Sequence, residues 1–155
     1  MGINYILNEE YKEALVYLQE AEKLLEYGAS CGKTIDRQLI ISTLQNEACV
    51  YQKRWELEKS SNYMEAIIYN MNAYLQSPPP IIINSQINDP SSTSFINLST
   101  LVTKRLQMSF YYLQFSALSS QMGKHEVALG SALNALSMLK SLSVECYSFE
   151  KYSKK

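Results

Sequence analysis

The chain contains few of the residue types from which catalytic and metal sites are usually built. Its 155 residues include one histidine, His125, three cysteines and five glycines. A histidine-based catalytic relay, a zinc site with cysteine and histidine ligands, and a glycine-rich phosphate-binding loop therefore all lack their components. Carboxylates close in sequence, such as Glu56 and Glu58, fall on different faces of a helix and do not converge. The sequence predicts a non-enzymatic protein with no cofactor and no metal ion.

A charge excess, a targeting segment and a long apolar run are also missing. The 14 basic and 15 acidic residues give a net charge of -1, which argues against nucleic-acid binding because phosphate neutralisation needs a cationic surface. No apolar run approaches the ~20 residues of a membrane span, and the first residues do not form a signal peptide. Cys31, Cys49 and Cys146 include no CxxC pair, as is typical of reduced cytosolic thiols. We expect a cytoplasmic protein, with association with the cytoskeleton left open.

Proline is confined to one stretch of the chain. All four prolines lie between residues 76 and 97, so the segments on both sides are free to form long helices. A length of 155 residues fits one domain. Glycines mark the remaining breaks, and Gly123 stands at a tight turn. We predict three helical hairpins at about 2–27, 35–76 and 98–142, a proline-rich loop at 77–97 and a polar tail at 143–155.

Apolar residues recur at three- and four-residue spacing in each of these blocks, which is typical of amphipathic helices. Residues 8–26 form the first such helix. In the second block, Asn62 followed by Glu65 has the form of a capping box, so we expect a new helix to start there. In the third block, a helix that opens near residue 97 or 99 ends at Met122, and a second helix follows Gly123.

Small residues, with aromatic or large residues between them, recur where the helices of a hairpin cross. The third block has Ser116, Gly123, Ala128 and Ala135; the first has Gly2, Tyr5, Tyr11, Ala14, Leu18 and Ala21; the second has Asn46, Ala48 and Tyr51, then Tyr63, Ala66, Asn70 and Ala73. This pattern resembles the tetratricopeptide repeat family. Two positions depart from it, because Ser119 replaces an aromatic residue and Ala132 replaces a large one. The matching alanines, at 14, 66 and 128, are 52 and 62 residues apart, against a family period of about 34.

The resemblance implies an all-α fold of antiparallel hairpins stacked as a short right-handed solenoid. It also implies that a peptide or helix of a partner protein binds along the concave face, on Ser42, Gln45, Asn46, Cys49, Gln52, Lys53, Phe110, Leu113, Gln114 and Ala117. Asn46 matches an asparagine with which some family members hold a peptide. Phe110 and Gln114 replace the basic residues of a carboxylate clamp, so an extended or helical segment fits better. Equally, Asn46 can serve only to satisfy hydrogen bonds between helices.

Several alternatives remain open at this stage. The first motif begins at Gly2, in mid-helix, which favours either a fragment of a longer array or self-association at an uncapped N-terminal end. The chain can also be a permanently assembled structural subunit, cytoskeletal for example, or a regulatory domain of a larger enzyme. Residues 78–83, three prolines and three isoleucines, either fill the protein's own groove as an extended strand or hold a long loop against its side.

Overall fold

The structure is a computed structural model that describes the backbone of residues 2–76 and 90–153, and the side chains of residues 2–76 and 99–144. It contains six helices: α1 (Gly2–Leu7), α2 (Tyr11–Ser30), α3 (Arg37–Lys53), α4 (Leu57–Gln76), α5 (Pro90–Gln121) and α6 (His125–Ser153). No strand occurs within these described ranges. The prediction of an all-α protein is confirmed, and short turns join α1 to α2, α3 to α4 and α5 to α6.

The three hairpin turns share one backbone geometry. Each contains a residue with positive φ, at 62° for Glu9, 58° for Trp55 and 75° for Gly123. The amide of the following residue then donates to the carbonyl five residues back at 2.9 Å, namely Glu10 to Tyr5, Glu56 to Tyr51 and Lys124 to Ser119. This is the Schellman arrangement that ends a helix. Gly123 adopts it freely, whereas the other two turns hold a residue with a side chain in the left-handed region.

The turn at residues 54–56 corrects one prediction. We expected a helix start at Asn62, but α4 begins at Leu57 and Asn62 lies inside it. The helix start is stabilised by Glu56, whose carboxylate lies 2.9 Å from Arg54 and 2.6 Å from Lys59. The hydrogen bond from Lys59 lowers the pKa of the Glu56 carboxyl. A capping-box pattern was thus wrong here, because a turn five residues earlier had already started the helix.

Two further boundaries differ from the predictions. Helix α5 begins at Pro90 instead of near residue 97 or 99, and α6 continues to Ser153 through the expected polar tail. Proline is tolerated at the first position of a helix because no intrahelical bond needs its missing N–H. The start of α3 lies close to its expected place, since Asp36 accepts a hydrogen bond from the Gln38 amide at 2.9 Å. The remainder of the proline-rich loop, residues 77–89, lies outside the described residues.

Small residues bring the two helices of each hairpin together. The Ser60 hydroxyl donates to the Ala48 carbonyl at 2.8 Å, and the Ser116 hydroxyl donates to the Ala128 carbonyl at 2.7 Å. In the first hairpin Gly2 faces Ala14, whose carbonyl oxygen would lie 3.6 Å from a Cβ at Gly2. The partners in all three pairs are 12 residues apart in sequence.

These pairs correct the alignment of the blocks with one another. Ser60, not Ala66, occupies the position that Ala14 and Ala128 hold in the other hairpins. The intervals between equivalent positions are therefore 46 and 68 residues instead of 52 and 62. The expected second half-motif, which began at Tyr63, was displaced because it was aligned on a helix start that the structure does not have.

The buried residues form two clusters. The first lies between α1, α2 and α3 and contains Ala14, Leu15, Leu18, Val50 and Tyr51. The second lies between α3, α4 and α5 and contains Ile41, Leu44, Ala48, Met64, Ile67, Met71, Met108, Tyr111, Phe115 and Leu118. Each helix packs on the next one along the chain, so α3 lies between the two clusters. The second cluster holds α3 and α5 close enough to share a surface.

One stretch of α6 is unexpectedly apolar. His125–Val144 is long and apolar enough to cross a membrane, with a mean hydropathy of 1.3, and only 22% of it is buried. The sequence had been expected to contain no such run. Length and composition alone are weak evidence for a span, because helices of soluble proteins pass the same test. The stretch is better described by its two faces, one of which packs on α5.

Candidate functional site

A cavity of about 180 Å³ lies between α3, α4 and α5. Five of the ten residues predicted for the partner-binding groove line it, namely Gln45, Asn46, Cys49, Gln52 and Gln114. The other five, Ser42, Lys53, Phe110, Leu113 and Ala117, do not line the cavity. They recur with the first five at three- and four-residue steps and so lie on the same faces of α3 and α5. The structure therefore brings together half of the predicted set and places the rest on adjoining helix surface.

The cavity is polar but uncharged. Four carboxamide side chains and the Cys49 thiol surround it, while Ala48, Met64 and Leu118 supply apolar surface. Among the described residues, no charged side chain lines it. Each carboxamide has both a donor and an acceptor, as a peptide group does. The cavity can therefore pair with an extended or helical backbone without requiring a charge on the bound segment.

Gln45 is held in place by a tyrosine from the facing helix. The Tyr111 hydroxyl donates to Gln45 Oε1 at 3.0 Å, and Tyr111 is itself buried. Burial raises the pKa of the Tyr111 hydroxyl, which keeps this donor protonated. Because the oxygen of Gln45 is taken, its amide N–H groups remain available as donors. The bond also fixes the distance between α3 and α5 at the cavity.

Asn46 is half-buried beside Gln45 and makes no side-chain hydrogen bond to any residue that the structure describes. The alternative that Asn46 serves to satisfy bonds between helices therefore has no such bond in its favour. Gln52 and Gln114 are likewise without a side-chain partner among these residues. Three carboxamides at one cavity are thus free to bind a ligand.

An apolar surface adjoins the cavity on α5. Phe110 and Leu113 are 52% and 48% exposed, and the Phe110 ring lies 6.1 Å from the ring of Tyr111 in a tilted arrangement. Lys53, at the end of α3, is the one charged residue of the predicted set. The surface therefore offers carboxamides for a backbone and an aromatic ring for an apolar side chain.

The described residues include no group of three or more His, Cys, Asp or Glu that can hold a metal ion. Cys31 and Cys49 are free thiols, and Cys31 is exposed. Cys49 is half-buried at the α3–α5 cavity. The side chain of Cys146 lies outside the described residues. His125 is exposed at the first position of α6, as expected from its place after the turn.

Sequence reasoning missed a second cavity and a buried charge. The cavity, of about 350 Å³, lies between α2, α3 and α4, with Leu25 and Ile40 in its wall and Glu22 beside them. Glu47 of α3 is fully buried, and neither of its carboxylate oxygens has a hydrogen-bond partner in the part of the chain that the structure describes. Burial, and to a lesser extent the charge of Glu22, raises the pKa of Glu47 to about 7.

A signal for the burial of Glu47 was present in the sequence. Glu47 lies seven residues after Ile40, three after Leu44 and four before Tyr51, so it falls within the apolar stripe of α3. Glutamate is mostly exposed in proteins, so the residue type alone predicts an exposed side chain. The spacing is the better predictor of burial at Glu47, because the apolar stripe of α3 faces both core clusters.

Comparison with known proteins adds no family to this geometry, since no family model, no curated protein and no solved structure matches the chain. The resemblance to tetratricopeptide repeats therefore rests on the residue pattern alone. Function has to be argued from the α3–α5 surface and from the faces that the helices leave exposed.

Proposed function

We propose that this chain is a tetratricopeptide-like interaction module, without catalytic activity, that binds a segment of a partner protein on the surface shared by α3 and α5. The observation that carries the proposal is the uncharged cavity lined by Asn46, Gln52 and Gln114, three carboxamides without a side-chain partner among the described residues. Asn46 and Gln114 are half-buried, and an amide that is shielded from water without a partner loses hydrogen bonds that a peptide backbone restores. Phe110 and Leu113 extend the surface for an apolar side chain of the partner.

The repeat interpretation is supported by the three equivalent turns and the three small-residue pairs. Gly2 with Ala14, Ala48 with Ser60, and Ser116 with Ala128 stand at matching places relative to their turns. Helix-to-helix packing in chain order is the arrangement that a stack of hairpins requires. On this interpretation α3 and α5 are the first helices of consecutive repeats, which is why they face the same partner.

The neutral lining also bears on the chemistry of the partner. A cavity without charged residues gives little long-range steering, so binding should depend weakly on salt. We therefore propose an extended or helical segment with apolar side chains and no obligatory charged terminus. A cytoplasmic location and a place within a larger assembly stay parts of the same proposal.

Paired substitutions test the site. Affinity purification from the native source, followed by mass spectrometry, supplies the partner, and a peptide from its contact region then serves as the probe. Asn46→Ala and Phe110→Ala should each weaken binding of that peptide about tenfold, because a hot-spot side chain contributes about 1–2 kcal/mol. Helical circular dichroism should stay unchanged, since neither residue belongs to a buried cluster.

Matched controls lie on other faces. Gln19→Ala removes an exposed carboxamide from α2, and Tyr69→Ala removes an exposed aromatic residue from α4. Both should bind the peptide as the unsubstituted chain does. Equal binding by all four variants would refute the α3–α5 site, whereas a loss of helicity in Asn46→Ala would assign that residue a structural role.

A permanently assembled subunit is the second function that a specific observation favours. The exposed leucines of α6, Leu129, Leu133 and Leu136, form an apolar face of the kind that obligate partners bury. Such a subunit would co-purify with its assembly and would not exchange with free peptide. Measuring exchange of the captured partner against an excess of the peptide separates the two functions.

A further inference from the structure

Helix α6 has two opposite apolar faces, of which one is covered. Ala128, Ser131, Ala135 and Leu142 are buried on the face that packs against α5. On the opposite face Leu129, Leu133 and Leu136 are 62%, 55% and 46% exposed. Helical geometry separates Leu133 from the centre of the buried face by about half a turn of the helix. The exposed face is therefore a second stripe and not the edge of the first.

The corresponding face of α4 in the preceding hairpin is covered only along one edge. Residues of α4 and α6 that are 68 apart in number hold equivalent positions, as Ser60 and Ala128 do. Ser61 and Met71 of α4 are buried, whereas their counterparts Leu129 and Leu139 are exposed. The reason is that α4 packs on both α3 and α5, while the main contact of α6 is with α5 alone. At the centre of the face, Leu133 stands where α4 has the exposed Glu65, so α6 exposes an apolar side chain where α4 exposes a charged one.

The order of residues along this face is symmetric about Leu133. Glu126 lies seven residues before it and Lys140 lies seven after it, so both share the face of Leu133. Gly130 and Leu136 lie three residues to either side, and Leu129 and Ser137 lie four residues to either side. If two copies of α6 cross antiparallel at Leu133, every off-axis leucine faces a small residue and every charge faces its opposite.

The side chains suit such a crossing. A leucine needs space in the facing helix, and a Cβ added to Gly130 would meet no atom within 4 Å. Gly in a helix interior destabilises it by about 1 kcal/mol relative to Ala, and close approach of another helix gives this glycine a role. Glu126 and Lys140 are exposed and form no ion pair with the other described residues.

We propose that a second copy of this chain docks antiparallel on the exposed face of α6, with Leu133 on the twofold axis. Leu136 of each copy lies against Gly130 of the other, Leu129 lies against Ser137, and Glu126 pairs with Lys140 at both ends of the contact. A twofold interface needs one self-complementary surface, and this face is one. The inference stands apart from the proposed peptide site, which lies on α3 and α5.

Sedimentation equilibrium of the full chain tests the proposal. The mass should rise with concentration from that of one chain, 17.7 kDa, to that of two. Leu133→Glu should keep the chain monomeric at every concentration, because it places two carboxylates together on the axis. Leu39→Glu, which changes an exposed leucine of α3, should dimerise normally, and both variants should retain full helicity.

A charge exchange tests the antiparallel direction. Glu126→Lys and Lys140→Glu should each weaken the dimer about tenfold at low salt, because like charges then meet at both ends. An equimolar mixture of these two variants should recover the affinity of the unsubstituted chain, since every pair in the mixed dimer is again opposite in sign. In a parallel contact residue 126 would meet 126 and residue 140 would meet 140, so neither variant would weaken the dimer and the mixture would bind more tightly than the unsubstituted chain. That result would overturn the proposal.

Other occupants of the face give other results. A chain that stays monomeric and binds vesicles of mixed neutral and anionic lipid through Leu133 would overturn the proposal in favour of a membrane surface. A chain that stays monomeric and binds no vesicles would overturn it in favour of a different protein. A dimer that Leu133→Glu leaves intact would place self-association elsewhere. Asn46→Ala should leave the dimer unchanged, so failure here and failure of the peptide site are distinguishable.

Discussion

The Glu47 carboxyl is an ionisable group that the fold buries with no hydrogen-bond partner among the described residues. Glu22 of α2 is the charged group that acts on it from a packed helix, and Tyr63 of α4 is a titratable group on which Glu47 itself acts. Neither supplies a positive charge, so the protonated form is the one that the interior favours. Burial, and to a lesser extent the charge of Glu47, raises the pKa of the Tyr63 hydroxyl.

We expect stability to fall as pH rises through the titration of Glu47. Its pKa is about 7 in the folded chain, against an ordinary value of 4.5. Between these values the folded state keeps a proton that the unfolded state has lost, so the free energy of unfolding decreases with pH by up to about 3 kcal/mol. Urea unfolding below pH 4.5 and above pH 7 measures the change.

Glu47→Gln should remove this dependence and should be the more stable protein above pH 7, where Glu47 is charged. The exposed Glu65→Gln serves as the control and should follow the unsubstituted chain at each pH. Parallel pH curves for Glu47→Gln and the unsubstituted chain would contradict the assignment of this titration to Glu47.

At the scale of the helix pair, the turns store strain at two positions. Trp55 has φ of 58° and is 75% exposed, so its side chain gains little burial in return for a left-handed backbone. We expect Trp55→Gly to stabilise the chain by about 1 kcal/mol and Gly123→Ala to destabilise it by a similar amount. Because Trp55 is the single tryptophan, unfolding has to be followed by circular dichroism.

The opposite sign for Trp55→Gly would mean that the indole makes a stabilising contact that its exposure does not reveal. Glu9→Gly offers an independent check, since Glu9 has φ of 62° in the equivalent turn. Both glycine substitutions should raise the free energy of unfolding.

The crossing of α3 and α4 depends on a small side chain at Ser60. Its hydroxyl donates to the Ala48 carbonyl, and the residue is 1% exposed. Ser60→Ala should cost about 1 kcal/mol for the lost hydrogen bond, and Ser60→Leu about 1–3 kcal/mol for overpacking. Ser42→Ala, which removes a local hydrogen bond on an exposed part of α3, should change urea unfolding little. Equal effects of Ser60→Ala and Ser60→Leu would show that the helices do not approach closely there.

Sequence spacing was sufficient for some elements and not for others. Gly123 predicted the third turn because glycine favours positive φ, whereas Trp55 gave no such signal and the second turn was placed too late, before Asn62. Helical periodicity placed Gln45, Asn46, Cys49 and Gln52 on one face, since that depends on α3 alone. Which residues of α5 face them depends on packing across the core, and only Gln114 of the four chosen there lines the cavity.

At the scale of the whole molecule, the two core clusters differ in size. The cluster that holds α1 and α2 on α3 has five buried residues, and the one shared by α3, α4 and α5 has ten. We expect amides of α2 to exchange hydrogen through a partial opening of lower free energy than amides of α4. Leu18→Ala, at a buried position of the smaller cluster, should lower the opening free energy of α2 by about 2–5 kcal/mol.

Native-state hydrogen exchange at several urea concentrations measures both openings. Met108→Ala, in the larger cluster, is the matched core substitution. It should lower the opening free energy of α4 and α5 in addition to that of α2. One common free energy for all helices, in either variant, would show that the clusters unfold as a unit.

The two residues of each crossing pair are 12 positions apart and centred on a turn. This spacing constrains the number of residues within a hairpin but not the number between hairpins. One residue inserted between Ala48 and Ser60 would rotate one helix relative to its neighbour by about 100°. Every contact beyond the insertion would then be displaced. Residues added between successive hairpins leave the pairing of the helices within each hairpin unchanged. The unequal intervals of 46 and 68 residues between equivalent positions illustrate this. The chain length can therefore change in the linkers between hairpins but not in the hairpin turns.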